Sequence, residues 1–342
     1  MKIGLVGYRG SGKSTLFELL TGVAPDASLA HATQSAMAPV PDPRFEPLFE
    51  VYRPKKRTHA ALEIVDTPGL SRTHEGNAGR LAMIREAGCL VHVVAAFDGS
   101  DLNQAIRGFD EDLLLADLDI VVRRIERLEE QLKKPRPDRD QLKTERAALE
   151  PLAELLESGT SLRQVELNDE QARVIKAFQL FAYKPRLVIV NVADDEAEPQ
   201  RFTRALPDGT PVMAVPVGLE SELARMEPDE REQFRSEMDI PAFDRDVVIR
   251  ALMEASGQML YFTAGPKELR SWIIRQGSTA LEAADAVHSD LARGFIRAEV
   301  IRSEDLLRLG SEREVKAHNL MRKEPKDYVV QDGDILLIQF SV

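Results

Sequence analysis

Residues Gly7–Ser14 read G-Y-R-G-S-G-K-S and satisfy the pattern G-x-x-x-x-G-K-S/T in full. The apolar run of residues 2–6 predicts a strand before this stretch, and Ser14–Thr21 predicts a helix after it. Glycines let backbone N–H groups turn towards phosphate oxygens, and the N-terminus of a helix adds positive potential. The stretch therefore predicts a loop that binds the phosphates of a nucleotide.

Two side chains of this phosphate loop have specific expected roles. Lys13 is expected to reach the β- and γ-phosphates, and Ser14 to place its hydroxyl on Mg²⁺. Arg9 has two interpretations: it approaches the γ-phosphate as a stabilising charge, or it faces solvent. The remaining residues expected to cradle the nucleotide are Gly7, Gly10, Ser11, Gly12 and Thr15.

A second predicted strand, Ala61–Asp66, ends in Asp66-Thr67-Pro68-Gly69, which fits D-x-x-G. Asp66 is expected to hold Mg²⁺ through water, and the Gly69 N–H to sense the γ-phosphate. The same four residues are also typical of an ordinary turn. The preceding phosphate loop favours the nucleotide-switch interpretation.

Leu70 follows Gly69, at the position where many switch GTPases carry a glutamine that orients the attacking water. Leucine cannot do so, and no other obvious base lies beside it. Either water is positioned differently or hydrolysis is intrinsically slow, and both suit a regulated switch better than a metabolic enzyme. We therefore place Lys13 and Leu70 at the catalytic positions.

The base-reading motif is predicted at Asn191-Val192-Ala193-Asp194, after the apolar strand Arg186–Asn191. GTPases carry N-K-x-D here, with the aspartate accepting from guanine and the lysine stem packing on the base. Val192 replaces the lysine, whereas Asp194 remains. A plain turn at the end of a strand is the alternative, but the chain order of the three motifs favours a base pocket formed by Asn191, Val192 and Asp194.

The spacing of apolar runs predicts an α/β fold with a buried parallel sheet, including a further strand over Cys89–Phe97. Residues 110–160 differ, because leucine-rich stripes on both sides of Lys133–Asp140 predict an antiparallel helical hairpin. The hairpin is either a structural arm or a lever that binds a partner. Residues 261–342 predict a further unit with a helix over Thr279–Leu291 and three strands: Trp272–Ile274, Phe295–Val300 and Ile335–Phe340.

The composition narrows the function classes. Of 342 residues, 45 are Lys or Arg and 57 are Asp or Glu, and the formal net charge is −12. Proteins that coat nucleic acid usually carry a basic excess, so neither nonspecific wrapping nor sequence-specific DNA binding is expected. Residues 261–342 are nearly neutral, with 12 Lys or Arg and 13 Asp or Glu.

The cysteine count and the hydropathy of the sequence indicate the cellular compartment in which the protein is expected. Cys89 is the only cysteine, so no intramolecular disulfide can form, which fits a reducing cytoplasm. The N-terminal residues lack the apolar run of a signal peptide, and no stretch reaches the roughly 20 apolar residues of a membrane helix. We expect a soluble, cytoplasmic protein with no membrane partner.

Several longer runs resemble those of a known family, the Obg-like ATPases of the YchF type, which belong to the P-loop class related to translation factors. The runs in the first part of the chain are Pro39–Arg44, Gly76-Asn77 together with Ile84–Glu86, Val91–Val94, Leu115–Leu118 and Lys184-Pro185. The runs near the C-terminus resemble the family's TGS domain, a small β-grasp module, and are Tyr261–Glu268, Ser271-Trp272, His288–Asp290, Gly294–Val300, Lys326–Tyr328 and Asp332–Asp334.

The resemblance implies an architecture and a function. The architecture is a G-domain-like P-loop NTPase domain (residues 1–108 and 166–257) with an inserted helical arm (109–165) and a C-terminal TGS domain (258–342). Members hydrolyse ATP in preference to GTP, with Mg²⁺, carry a hydrophobic residue in place of the catalytic glutamine, and associate with ribosomes. Selective docking on a ribosome, on the large subunit or the 70S particle, through the arm and the TGS domain is compatible with the charge distribution.

This sequence also departs from the family pattern. The middle of the phosphate loop differs, Asp194 stands where a glutamate is common, and D-T-P-G replaces D-x-A-G. The first switch is shortened, with Thr33 as the candidate for its Mg²⁺-binding threonine. Besides a slow ATPase switch, two alternatives therefore remain: a true GTPase, and a nucleotide-gated ribosome- or RNA-binding module with negligible hydrolysis.

Overall fold

The computed structural model describes residues 1–29, 31–196, 198–204 and 206–341. The chain forms two compact units. The first contains residues 1–36 and 63–243, and the second contains residues 37–62 and those from 244 onward. In the residues described, no helix has both the length and the apolar character needed to span a membrane.

The elements follow the chain in this order. The strands are β1 (Lys2–Val6), β2 (Gln34–Pro39), β3 (Lys56–Thr58), β4 (Ala61–Asp66), β5 (Cys89–Ala95), β6 (Arg186–Asn191), β7 (Val212–Val215), β8 (Gln258–Ala264), β9 (Glu268–Arg275), β10 (Phe295–Arg302), β11 (Arg322–Glu324) and β12 (Asp334–Phe340). The helices are α1 (Lys13–Thr21), α2 (Phe45–Tyr52), α3 (Asn77–Arg85), α4 (Leu102–Leu132), α5 (Arg139–Glu157), α6 (Asp169–Phe178), α7 (Val217–Leu223), α8 (Pro228–Glu237), α9 (Arg245–Ala255), α10 (Ala280–Val287), α11 (Ser289–Arg293), α12 (Ser303–Leu309) and α13 (Glu312–Ala317).

The first unit is built on a six-stranded sheet with the order β2-β4-β1-β5-β6-β7. The neighbours from β4 to β7 all pair in parallel. The register places Leu5 beside Asp66 and Ala95 beside Asn191, so these strands end at one edge of the sheet. Ligands of parallel α/β sheets bind at this edge. The predicted mainly parallel sheet is confirmed.

The helical hairpin predicted over residues 110–160 is formed by α4 and α5. Its core contains both leucine-rich stripes, with Val121, Leu128, Leu149 and Leu152 fully buried. α6 packs against the same cluster and closes its open side. Charged side chains also join the two helices, since Arg124 Nε and Nη2 each donate to the Glu145 carboxylate at 2.7 Å.

The second unit has its own six-stranded sheet, with the order β11-β10-β12-β8-β9-β3. β8 and β9 form an antiparallel hairpin, β12 lies parallel to β8, and β10 is antiparallel to β12. This mixed arrangement with α10 packed on it fits the β-grasp expectation. β3 extends the sheet by pairing in parallel with β9, from Lys56 opposite Glu268 to Thr58 opposite Arg270.

Several elements differ from the expectations. The helix expected over Thr279–Leu291 is two helices, because His288 is extended (φ −166°) and its Nδ1 accepts from the Asp290 amide at 3.1 Å. The strand expected over Cys89–Phe97 ends at Ala95. The two compact units also divide the chain differently from the expected domains, since residues 37–62 and 244–257 belong to the second unit.

Apolar packing explains why residues 37–62 belong to the second unit. Phe45 and Leu48 of α2 are buried in one cluster with Phe262 and Leu269 of the β8–β9 hairpin. Burying two such side chains contributes about 3–6 kcal/mol. This apolar contact binds the segment to the C-terminal sheet, although in sequence it stands between the first two nucleotide motifs.

Candidate nucleotide-binding site

The phosphate loop of Gly7–Ser14 connects β1 to α1 at the carboxyl edge of the first sheet. Gly12 caps α1 in the left-handed conformation (φ 97°), and a Cβ there would collide with the Asn191 amide. Gly7 also has a positive φ (143°), and a Cβ there would overlap the Val93 carbonyl. Glycine at both positions therefore allows the loop to lie close against β5 and β6.

Lys13 is the buried cation of the loop. It is 6% exposed, and its Nζ donates to the Tyr8 carbonyl at 2.7 Å. Burial lowers the pKa of Lys13 to about 8, while the negative charge of Asp66 acts in the opposite direction. The Lys13 amine is therefore mostly protonated at neutral pH, and it lies at the turn of the phosphate loop.

Ser14 and Asp66 form a pair at the start of α1. The Ser14 hydroxyl donates to Asp66 Oδ2 at 2.6 Å, and the buried Asp66 Oδ1 has no partner among the described residues. Burial raises the pKa of Asp66, opposed by the Ser14 hydrogen bond and the Lys13 charge. A hydroxyl next to a carboxylate with one free oxygen fits the hard-oxygen ligands that Mg²⁺ prefers.

The segment after Asp66 approaches the loop closely. A Cβ on Gly69 would lie 2.8 Å from both the Arg9 amide nitrogen and Lys13 Nζ, so only glycine fits there without a shift. Leu70 next to it is fully buried, in a cluster with Val6 and Phe109. Leu70 therefore contributes to packing. At the catalytic position predicted for it, its side chain offers no polar group to a nucleotide.

Two other expected site residues are exposed. Arg9 faces solvent, and no side-chain hydrogen bond of Arg9 occurs within the described residues. Thr33 is exposed directly before β2, where the structure likewise shows no hydrogen bond from its side chain. Its role as a Mg²⁺ ligand remains a prediction.

The residues of the base-reading motif occupy three different environments. Asn191 is buried; its Nδ2 donates to the Ser11 carbonyl at 3.2 Å and its Oδ1 accepts from the Val217 amide at 3.1 Å. Val192 is 2% exposed and packs in an apolar cluster. Asp194 is exposed, with Oδ1 accepting from the Leu219 amide at 3.0 Å.

A cavity of about 540 Å³ joins the loop to this motif. It is lined by Gly10, Gly12, Thr15, Phe97, Asn191, Val192, Ala193, Asp194, Asp195 and Gly218. The sequence interpretation missed Phe97, which is 46% exposed and offers an aromatic face to a base. Its position two residues after the buried strand β5, at the carboxyl edge of the sheet, was the available signal. Among the described residues, no group of three His, Cys, Asp or Glu could hold a metal ion.

Comparisons with known proteins place these features in a family. Residues 2–135 match the family model described as 50S ribosome-binding GTPase, and residues 259–341 match the YchF C-terminal model, described as a protein of unknown function. The ribosome-binding ATPase YchF of Haemophilus influenzae is 34% identical over 363 residues, covering 100% of this chain and 99% of the relative. The chain belongs to the YchF family of Obg-like ATPases.

Further comparisons extend across kingdoms. Obg-like ATPase 1 of Oryza sativa subsp. japonica is 33% identical to this YchF-family chain, covering 100% of it and 92% of the relative. The solved structure of the Schizosaccharomyces pombe YchF GTPase has a TM-score of 0.83 and 25% identity, covering 99% of this chain and 97% of that one. This YchF-family protein therefore has a nucleotide-binding P-loop domain and the family's C-terminal domain. The expected fold class and family are confirmed.

Proposed function

We propose that this YchF-family protein is a slow, Mg²⁺-dependent NTP hydrolase that acts as a ribosome-associated switch and favours ATP over GTP. The observation that carries the proposal is the convergence of Lys13, Ser14 and Asp66 at the N-terminus of α1. Asp66 Oδ1, buried without a partner in the described residues, supports an ion at this point. Ser14 and Asp66 are the proposed holders of Mg²⁺, which neutralises charge on the phosphates when bound.

The phosphates would be held by Lys13 and by the backbone amides of the loop. Gly69 is close enough to the loop for its N–H to sense a γ-phosphate. Leu70 is buried, so it leaves the attacking water without the usual side-chain partner, and we expect intrinsic hydrolysis to be slow. A Lys13→Ala variant should lose about 100-fold in nucleotide affinity, because a buried charged partner of the phosphates is removed. Lys134→Ala, a variant of an exposed lysine, is the matched control.

The preference for ATP is supported by two contacts of the base motif. Val192 packs inside the protein and extends no stem along a base. Asp194 already accepts from the Leu219 amide, which competes with guanine for the Oδ1 lone pairs. The relatives from Haemophilus influenzae and Oryza sativa are named ATPases, whereas the Schizosaccharomyces pombe protein is named a GTPase.

Dissociation constants of ATP and GTP measured on one sample, with and without Mg²⁺, test this choice. We expect ATP to bind more tightly. The exposed Asp194 carboxylate favours the second candidate, a true GTPase. Tighter binding of GTP would establish that alternative.

The proposed partner is the ribosome, and the proposed contact regions are the helical arm and the predicted TGS domain. The support is the name of the bacterial relatives and the description of the N-terminal family model. A cytoplasmic location is part of the same proposal. Single-turnover hydrolysis with and without ribosomes, together with cosedimentation, tests it: faster hydrolysis and nucleotide-dependent cosedimentation are expected. Nucleotide-dependent cosedimentation without product under either condition would instead establish a binding module.

A further inference from the structure

One carboxylate in the first unit contacts two nucleotide-site segments at once. Asp112 lies on α4 with its side chain 6% exposed. Its Oδ2 accepts from the Tyr8 hydroxyl at 3.0 Å, and its Oδ1 lies 3.0 Å from His74 Nδ1. Tyr8 belongs to the phosphate loop, and His74 to the segment that follows Gly69. Both carboxylate oxygens are therefore used, each by a different segment.

Tyr8 is held at both its ring and its backbone. The ring packs edge-on against Phe109, one turn before Asp112, with centroids 5.6 Å apart, and Arg72 lies over it at 4.9 Å. The Tyr8 carbonyl accepts from Lys13 Nζ. Burial, followed by the Asp112 hydrogen bond, raises the pKa of the Tyr8 hydroxyl, which stays a donor. Tyr8 thus joins the lysine of the loop to α4.

His74 is in the left-handed conformation (φ 61°), which is uncommon for a residue other than glycine. Its short segment is closed by Asn77, whose side chain accepts from the Ser71 amide at 2.8 Å and donates to the Ser71 carbonyl at 2.9 Å. The contact between His74 Nδ1 and Asp112 Oδ1, 3.0 Å apart, connects this closed segment to α4.

Helix α4 has a glycine next to the Tyr8 hydroxyl. Gly108 lies inside α4, where glycine costs about 1 kcal/mol relative to alanine. A Cβ at this position would lie 3.3 Å from the Tyr8 hydroxyl oxygen, a tight approach. Glycine therefore leaves room for the hydroxyl to reach Asp112.

We propose that Asp112 is a positioning residue of the nucleotide site, holding the phosphate loop through Tyr8 and the γ-phosphate-sensing segment through His74. The inference rests on the proposed function. If this proposal is correct, α4 contacts both segments only while each keeps the conformation described above. A nucleotide-dependent change in either segment would then alter its contact with the long helix of the arm. Asp112 itself touches no nucleotide.

Four variants test the proposal: Tyr8→Phe, His74→Ala, His74→Gln and Asp112→Asn. Tyr8→Phe removes one oxygen and keeps the ring packing, so it should weaken both ATP and ADP about three- to tenfold. His74→Ala should weaken ATP by a similar factor and leave ADP unchanged, because only ATP has the γ-phosphate. His74→Gln keeps a donor and should restore most of the ATP affinity. Asp112→Asn removes the charge and leaves one acceptor oxygen for two segments, so it should weaken both nucleotides, ATP more than ADP.

The controls are Tyr183→Phe and Glu126→Gln. Tyr183 is 46% exposed, and Glu126 is an exposed carboxylate on the same helix, so each control makes the same chemical change without touching the site. In a Tyr8–Asp112 double-mutant cycle, the double variant should lose no more ADP affinity than the larger single loss.

A purely structural role gives a different result. In that case His74→Ala and Asp112→Asn lower the melting temperature but leave the ratio of ADP to ATP dissociation constants at the wild-type value, and Tyr8→Phe leaves both dissociation constants unchanged; either result would overturn the inference. Additive effects of Tyr8→Phe and Asp112→Asn on ADP affinity would also overturn it. Should Asp112→Asn fail to fold, Tyr8→Phe and His74→Ala still decide the question. Failure of the wild-type protein to bind nucleotide at all would instead refute the proposed function.

Discussion

The Leu70 amide donates to the Gly7 carbonyl at 3.0 Å, and the two residues lie in adjacent backbone segments. The Leu70 carbonyl in turn accepts from the Arg9 amide at 3.0 Å. These two bonds form a short parallel bridge between the D-x-x-G segment and the phosphate loop. They fix the backbone of Leu70 so that its side chain lies in the apolar cluster below.

Restoring glutamine at this position should therefore fail to restore fast hydrolysis. Leu70→Gln places an amide in an apolar cluster and should lower the free energy of unfolding by about 1–3 kcal/mol. Its single-turnover rate should stay within about threefold of the wild-type rate. Leu115→Gln, at a site 60% exposed, is the stability control. A tenfold faster rate in Leu70→Gln would show that the side chain can reach the water.

The proposed Mg²⁺ site makes a second prediction. Asp66→Asn removes the charge of the carboxylate that pairs with Ser14, and the Mg²⁺ concentration for half-maximal activity should rise about 10- to 100-fold. Glu63→Gln, on the same strand, serves as the control. Equal Mg²⁺ requirements in the two variants would place the ion elsewhere.

A third prediction concerns Asn191, whose amide bridges the Ser11 carbonyl and the Val217 amide. Asn191→Ala leaves both buried partners unsatisfied and should lower the free energy of unfolding by about 2–4 kcal/mol. Nucleotide affinity should fall as well, since Ser11 is part of the loop. Asn103→Ala, on an exposed helix position, is the comparison. Denaturant titration and nucleotide binding, measured side by side, check both effects.

The buried His92 gives a prediction for pH. Its ring is 1% exposed, stacks on Phe109 with centroids 4.1 Å apart, and its Nδ1 lies 2.9 Å from Arg186 Nη2. Arginine can only donate, so Nδ1 accepts and the ring is neutral. Burial, followed by the charges of Arg186 and Lys13, holds the pKa of His92 well below 6.5.

The sign follows from proton uptake on unfolding. Below about pH 6.5 the unfolded chain protonates this histidine and the folded chain does not, so stability falls as pH falls. The His92 contribution is complete above that pH and is lost at about 1.4 kcal/mol per pH unit below it. His92→Gln keeps an acceptor for Arg186 without titrating, and its free energy of unfolding should depend less on pH between about 5.5 and 7. The exposed His318→Gln should behave like wild type; if His92→Gln does too, the ring is protonated in the fold.

The arm core gives a fifth prediction. Leu149 is fully buried between the helices of the hairpin, so Leu149→Ala should cost about 2–5 kcal/mol. Leu115→Ala, at its exposed site, should cost less than about 0.5 kcal/mol. Similar losses in the two variants would contradict the hairpin packing. Urea titration followed by circular dichroism measures both.

Local patterns in the sequence identified much of the fold. The glycine spacing of the phosphate loop predicted the strand, the turn and the helix, because each depends on residues close in sequence. The stripes on either side of Lys133–Asp140 predicted the hairpin for the same reason. The sequence did not predict that the helix is interrupted at His288. The His288 side chain caps the helix that follows it, and no proline or glycine marks the interruption.

The remaining features depend on contacts between distant residues. The sequence around Leu70 does not indicate which way its side chain points. That direction is set by hydrogen bonds to a loop some 60 residues earlier. The bond from Tyr8 to Asp112 joins residues 104 positions apart. Val192 could be identified as a replacement for lysine, but only the packing of its cluster shows that the side chain points inward.

The division of the chain into units also constrains how this protein can be dissected. The chain passes from the first unit to the second after residue 36, returns after residue 62, and crosses again after residue 243. A fragment starting at residue 244 would therefore lack Phe45 and Leu48 and would expose the apolar surface they cover. An exchange of C-terminal domains between family members would need to carry residues 37–62 along with it. Substitutions in that segment should accordingly be accompanied, over evolutionary time, by compensating substitutions more than 200 positions further along the chain.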